Sequence, residues 1–195
     1  TINDMTLNNR DVQVYGSPVF DSTSKSLIFD GQNDYLKNEN IGNTAGAWSH
    51  SIAFWIYLDS SILTQPSEFQ ETVFVIGQPE ALKSIAFKYI HMGSQEIRLT
   101  YSFLWHETEI DVGSEYLDQW QHMMLTYDGV QNIKKIYTNG VLLDTTNRYW
   151  SEHATNEYTP LNLNANQSIE IGRDIQNSTY FHGKIRNFQI FNRNL

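Results

Sequence analysis

Short runs of β-branched and aromatic residues, closed by Asx-Gly turns, constrain this chain more than any other feature. Thr138-Asn139-Gly140-Val141 is the sharpest case. A two-residue Asn-Gly turn supplies the two positive-φ positions that a type I′ hairpin needs. Phe29-Asp30-Gly31 and Tyr127-Asp128-Gly129 place Asp-Gly after an apolar run in the same way. In Glu96–Phe103 the residues Ile97, Leu99, Tyr101 and Phe103 share one face, and Glu96, Arg98, Thr100 and Ser102 share the other. That is the period of a half-buried strand. Between Tyr116 and Met124 the apolar residues fall at helical spacing, but Asp118 and Gln119 interrupt them. The segment ends strand-like at Thr126-Tyr127-Asp128-Gly129, and is read as a turn followed by a strand. Many short strands at about 8 to 12 residue spacing predict an all-β sandwich or jelly roll.

At 195 residues the chain suits a single domain over 1–195 better than two thin-cored ones. Lys and Arg number 13 against 22 Asp and Glu, a net charge of −9. Nucleic-acid binding by bulk electrostatics asks for the opposite sign, as does docking on an anionic membrane. The longest apolar run, Ile52 to Leu58, is too short for a bilayer-spanning helix. With no Cys there is neither a disulfide nor a thiol nucleophile. The chain opens at Thr1 without a leader, which predicts an excised or processed form.

Glu107-Thr-Glu109-Ile-Asp111-Val-Gly-Ser-Glu115 is the most tempting catalytic motif. Strand alternation puts Glu109 and Asp111 on one face, about 6.6 Å apart along the strand. A retaining glycosidase needs carboxyls about 5 to 5.5 Å apart. Gly113 and Ser114 stand where a third acid would complete the pattern, so an acidic strand facing solvent or ligand is the better reading. His106-Glu107 opens like a zinc-protease helix, but Ile110 stands in place of the second His. Sugar binding asks for an aromatic platform beside groups that read hydroxyls. Trp105, His106 and Glu107 form one such cluster. Arg148-Tyr149-Trp150-Ser-Glu152-His153 forms another, inside the long 145–167 stretch, and Trp48 is a third free indole. Asp30, Asn33 and Asp34 surround a turn and offer oxygens for Ca²⁺, as do Asp21, Ser22 and Ser24. The same residues equally serve the turn itself.

Six segments, in order, resemble the laminin-G-like, concanavalin A-like jelly-roll family. They are Phe29-Asp-Gly-Gln-Asn-Asp-Tyr35, Ser51-Ile-Ala-Phe-Trp-Ile56, Trp120-Gln-His-Met-Met-Leu-Thr-Tyr-Asp-Gly129, Ile136-Tyr-Thr-Asn-Gly-Val-Leu142, Ile169-Glu-Ile-Gly-Arg173 and the closing Phe181–Leu195. The resemblance implies a sandwich of two antiparallel sheets, about 12–14 strands in all. It implies that Trp55 and Trp120 pack the core, and that the module recognises glycans or glycosylated surfaces. Many relatives carry an acidic pair in the closing strand that helps hold calcium. Here that place reads Gly183-Lys184-Ile185-Arg186-Asn187, a departure from the pattern.

These readings converge on a non-catalytic, lectin-like module of a larger extracellular, cell-surface or virion-surface protein. Its ligand-binding residues are expected to be Trp105, His106, Glu107, Glu109, Asp111, Tyr149, Trp150 and His153, with Ca²⁺ at Asp30, Asn33 and Asp34. The net negative charge favours neutral glycans over polyanionic ones. The alternatives are an adhesive protein-interaction module, such as a viral surface domain, and a glycoside hydrolase using Glu109 and Asp111.

Overall fold

The computed structural model describes residues 1–6, 8, 10–104, 106–144, 147–149, 160–174 and 179–195. Fifteen strands run through them. The first seven are β1 (Gln13–Tyr15), β2 (Val19–Asp21), β3 (Ser26–Asp30), β4 (Tyr35–Asn38), β5 (His50–Leu58), β6 (Gln70–Gly77) and β7 (Ser84–His91). The rest are β8 (Ile97–Ser102), β9 (His106–Val112), β10 (Trp120–Asp128), β11 (Ile133–Thr138), β12 (Val141–Asp144), β13 (Asn147–Tyr149), β14 (Ile169–Ile171) and β15 (His182–Phe191). An eight-stranded sheet has the order β1-β4-β14-β6-β7-β8-β9-β13, and a seven-stranded sheet β12-β11-β10-β5-β15-β3-β2. All named pairings are antiparallel.

The local expectations hold where the physics is local. Asn139 and Gly140 take φ of 49° and 81° and close the β11–β12 hairpin. The ambiguous 116–124 segment is a single 3-10 turn, Ser114–Tyr116, followed by β10. Its helical spacing is broken by Asp118, whose φ of 53° belongs to a turn.

The inner faces of the two sheets share one apolar cluster. Phe54 from β5 meets Phe74 and Phe87 of the opposite sheet edge-on, at centroid distances of 5.9 and 5.7 Å. Phe188 stacks on Phe54 at 5.4 Å. A buried aromatic ring removes about 150–250 Å² from water, so this quartet contributes substantially to sheet-on-sheet packing. Two outer faces remain. On the eight-stranded sheet the outward positions are almost all polar. On the seven-stranded sheet they include Trp55, Tyr57 and Trp120, each half-buried. One edge of that second sheet is β2, only three residues long, with Val19 and Phe20 about 60% exposed (61% and 60%).

Candidate functional site

On β9 the acids alternate outward while His106, Thr108, Ile110 and Val112 turn inward. The β8–β9 register pairs Arg98 with Asp111, Thr100 with Glu109 and Ser102 with Glu107. Each acid therefore faces a donor on the neighbouring strand. Arg98 donates from Nε to Asp111 Oδ1 at 2.7 Å and lies 3.6 Å from Glu109 Oε2. The Ser102 hydroxyl donates to Glu107 Oε1 at 3.1 Å. The Asp111 carboxylate, ahead of its neighbouring acids, holds the Arg98 guanidinium more firmly protonated than usual. Glu109 and Asp111 thus share one cation, which offsets one of their two charges and favours the ionised form of both over the protonated form a general acid needs. Across β7 the row continues with Lys88, 3.3 Å from Asp174 Oδ2, which also accepts from the Thr72 hydroxyl at 3.3 Å. Thr100 lies in the middle of this row, and its buried hydroxyl has no hydrogen-bond partner among the described residues.

His106 does not join the acids. Strand parity puts its ring inside, where burial and the Lys134 cation lower its pKa. Lys134 itself is fully buried on the inner face of β11. Its ammonium donates to the carbonyls of Tyr101 and His106 and lies 4.6 Å above the Phe103 ring. Burial brings its pKa down to about 7, with Glu107 pulling the other way. Next to it His50 accepts or donates at Nε2 to the Tyr101 hydroxyl (2.5 Å) and at Nδ1 to the Trp48 carbonyl (2.7 Å). Burial takes the His50 pKa down to about 4. The Lys134 ammonium thus bridges the carbonyls of Tyr101 in β8 and His106 at the start of β9.

Of the remaining expected ligand residues, Trp105, Trp150 and His153 lie outside the described residues. The backbone of β13 pairs Tyr149 with His106, Arg148 with Glu107 and Asn147 with Thr108, placing Tyr149 at the edge next to the acidic strand. Trp48 is not a free indole. It is buried, stacks on His50 at 4.6 Å and bonds Asn192 through Nε1.

Sequence reasoning passed over the opposite edge of the same sheet. There, Tyr15 and Tyr35 face each other across β1 and β4 with rings 4.5 Å apart and 3° from parallel. The Arg173 guanidinium lies 4.9 Å from the Tyr35 centroid. Beside this stack opens a polar cleft of about 600 Å³ between the 8–13 segment, the end of β4 and the 39–43 loop. The only signal for it in the sequence was a density of Asn that turn chemistry explains equally well.

The family model described as the concanavalin A-like lectin/glucanases superfamily, of laminin G type, matches residues 30–195. The chain belongs to this superfamily. Among solved structures, this concanavalin A-like domain is similar to the binding domain of botulinum neurotoxin serotype G, at 15% identity and a TM-score of 0.67 over 99% of this chain and 45% of that one. It also resembles a heptameric SAP-like pentraxin from Limulus polyphemus (14% identity, TM-score 0.60, covering 97% and 80%). A third likeness is domain 4 of a GH43 extracellular arabinanase from Geobacillus stearothermophilus, solved with arabinotriose (16% identity, TM-score 0.55, covering 100% and 82%). The chain spans about half the length, 45% and 46%, of the neurotoxin binding domains of serotypes G and D. No curated protein matches it. At these identities the likeness is one of fold.

Two details set this concanavalin A-like domain apart from the pattern its sequence resembles. Trp55 and Trp120 do not pack the core. Both project from the outer face of the seven-stranded sheet, where Arg186 is wedged between them at 5.2 and 4.3 Å from the ring centroids. Arg186 also donates to the Ser24 carbonyl at 2.8 Å. A guanidinium occupies the place where relatives keep an acid, and it is used to tie β5, β10 and β15 to the β2–β3 turn. The second detail concerns calcium. Asp34 spends Oδ1 on the Ser17 N–H (2.7 Å) and Oδ2 on the Asp30 N–H (3.1 Å), and Asp30 Oδ1 accepts from Gln32 and Asn33. Asp21 is likewise used up on Thr23 and Ser24. Ca²⁺ needs six to eight converging oxygens, and no group of three or more His, Asp or Glu able to hold a metal occurs among the described residues. The hydrogen bonds of Asp30 and Asp34 are those of the turn itself.

Proposed function

We propose that this domain is a non-catalytic recognition module that binds neutral glycans through the polar outer face of β7, β8 and β9. The observation that carries the reading is the row formed by Arg98, Thr100, Ser102, Glu107, Glu109 and Asp111, with the Thr100 hydroxyl at its centre lacking a partner among the described residues. Paired carboxylates and a guanidinium held in fixed register are the groups that read vicinal hydroxyls. Asp111, Arg98 and Glu107 are the members that reach solvent, with Thr100, Ser102 and Glu109 buried beside them. Solved neighbours that are binding domains, one of them crystallised with arabinotriose, support the class of ligand. The bond of Arg98 to both Glu109 and Asp111 supports binding rather than hydrolysis. The same comparisons favour a place on a secreted or surface-exposed parent protein. No helix among the described residues is long and apolar enough to cross a membrane.

The adhesive alternative asks for one contiguous apolar patch. Exposed Val19 and Phe20 lie on β2 and exposed Val141 and Leu142 on β12, at opposite edges of the seven-stranded sheet, so they do not join.

The test is a glycan array of the domain in millimolar calcium and again in EDTA, followed by titration of the best hit into Arg98→Ala/Thr100→Val. A neutral-glycan hit that weakens at least tenfold in this variant, with or without calcium, is the expected result. A blank array in both buffers, or a hit indifferent to the variant, overturns the assignment of this face.

A further inference from the structure

We infer that the cleft at the β1–β4 edge is a second, independent binding site for a short neutral oligosaccharide. It shares the ligand class of the proposed function but none of its residues. It lies at the other end of the eight-stranded sheet, five strand spacings from β9, or about 24 Å.

The argument begins with what the cleft offers. Its volume of about 600 Å³ is that of a small-molecule site. Its charged lining is balanced, Arg10 and Lys37 against Asp11 and Glu39. Lys37 is engaged by Glu39 at 3.0 Å and Glu170 at 3.6 Å, and these pairings raise its pKa. A polyanion or a bare cation therefore finds no net field to hold it.

The carboxamides then fix the polarity of the site. Asn40 Oδ1 accepts from the Gly42 N–H at 2.8 Å, and Asn43 Oδ1 from the Ala45 N–H at 3.3 Å. Gln13 Oε1 accepts from the Tyr15 hydroxyl at 2.7 Å. With each oxygen engaged, the amide orientation is set, and the NH₂ groups of Asn40, Asn43 and Gln13 are left as donors with no partner among the described residues. The Arg10 guanidinium donates to the Ile41 carbonyl and lies flat against Gly42. Any Cβ at Gly42 would collide with that guanidinium, and Gly42 also has a left-handed φ of +96°. The close approach of Arg10 to the loop thus depends on this glycine. The wall sets amide and guanidinium donors beside the Asp11 and Glu39 carboxylates, a mix that suits a neutral ligand bearing hydroxyls, which both accept and donate.

The third element is the aromatic surface. Gln13 and Lys37 line the cleft, and one step further along the same outward face of β1 and β4 stand Tyr15 and Tyr35. Two residues of strand are about 6.8 Å, roughly the span of one pyranose. Tyr35 is covered by Tyr15 and Arg173. An oligosaccharide with one ring held by the amides would therefore lay the next against the face of Tyr15 turned away from Tyr35, where C–H groups meet a π-face. Arg10, Asp11, Gln13 and Tyr15 precede the stretch matched by the family model, whereas Lys37, Asn40 and Asn43 lie within it.

The experiment titrates a panel of neutral trisaccharides (maltotriose, xylotriose, cellotriose and mannotriose) into the ¹⁵N-labelled chain and follows side-chain amide signals. The proteins are the wild type, Asn40→Asp/Asn43→Asp, Tyr15→Ser and Arg98→Ala/Thr100→Val. The Asp variants keep the acceptor that each turn needs and lose the donors, so the fold is retained. At least one sugar is expected to shift the Asn40, Asn43 and Gln13 NH₂ signals. Its affinity should fall at least tenfold in the Asp variant and several-fold in Tyr15→Ser, with these shifts unchanged in the Arg98/Thr100 variant. Binding that leaves these amides unmoved and vanishes only in the Arg98/Thr100 variant overturns the cleft and leaves the proposed face standing. Amide shifts that survive the Asp substitutions also overturn it. No binding by the wild type overturns both.

Discussion

Glu71 offers a measurement in which the structure sets both the sign and the size. Its carboxyl is buried at the end of the sandwich, accepting from the His182 N–H at 3.0 Å, with Tyr89 opposite it on β7. Burial, reinforced by Asp59 and opposed by the His182 hydrogen bond, pushes its pKa from 4.5 up to about 7. A carboxyl raised in the fold contributes its full stability below about pH 4.5 and loses it as pH rises through 7. The loss amounts to about 3 kcal/mol. Glu71→Gln is nearly isosteric with the protonated acid and retains the acceptor, so it should leave stability unchanged at pH 4.5. At pH 8 it should raise stability by about 3 kcal/mol, a rise in Tm of about 9 °C for a domain of this size. His50 works in the opposite direction over almost the same range. Its pKa falls from 6.5 to about 4 on burial, so its contribution is lost as pH falls through that window. The wild-type profile between pH 4 and 7 should therefore be nearly flat, and the variant should unmask the His50 limb. Thermal denaturation of both proteins at pH 4.5, 6 and 8 decides the matter. A difference in Tm that does not vary with pH, or a Glu71 carboxyl carbon titrating near 4.5 by NMR, would refute the reasoning.

Other expectations follow from the same geometry. Lys134→Met should abolish a rise of stability between pH 7 and 10.5 that the wild type shows, because the buried ammonium is neutralised in the fold and charged in the unfolded chain; chemical denaturation at pH 7 and 10 reads this directly. Phe54→Ala should cost about 3–5 kcal/mol in urea unfolding, since it removes the ring shared by Phe74, Phe87 and Phe188. Arg186→Ala should cost about 2 kcal/mol and Arg186→Lys nearly as much, because a planar cation is needed between two indoles; equal stability of the Lys variant and the wild type would count against the stacking. Glu109→Gln should weaken any glycan affinity several-fold, since it removes one carboxylate of the Arg98 row, and reveal no hydrolysis to abolish; a measured hydrolytic activity lost in this variant would revive the glycosidase reading.

How much of this was legible depends on whether the determining contact is local. The Asn139-Gly140 hairpin and the outward alternation of Glu107, Glu109 and Asp111 were readable because a turn and a strand carry their own geometry. Trp55 was misread for a physical reason. In Ile52–Leu58 every position is apolar, so nothing in the run shows which parity faces the core; the pairing of Trp55 with His122 and Arg186 does. Lys134 and Lys135 look like two solvated neighbours, yet parity buries one of them. Trp48 is buried by a bond to Asn192, 144 residues away, which no local pattern reports. The cleft is hidden for the same reason. Its walls come from the 8–13 segment, β4, the 39–43 loop and Asn166, and each Asn taken alone is an ordinary turn residue.

The free edge at β2 has a consequence for how the protein behaves when concentrated. Three residues of unpaired backbone flanked by exposed Val19 and Phe20 invite a strand from another molecule, yet they can template only three residues of ladder. Asp21 at the end of that strand carries a charge that an incoming chain would have to cover, and Gly16 and Pro18 break the approach from the other side. Lateral growth of the seven-stranded sheet through β2 is therefore limited to a short, reversible ladder.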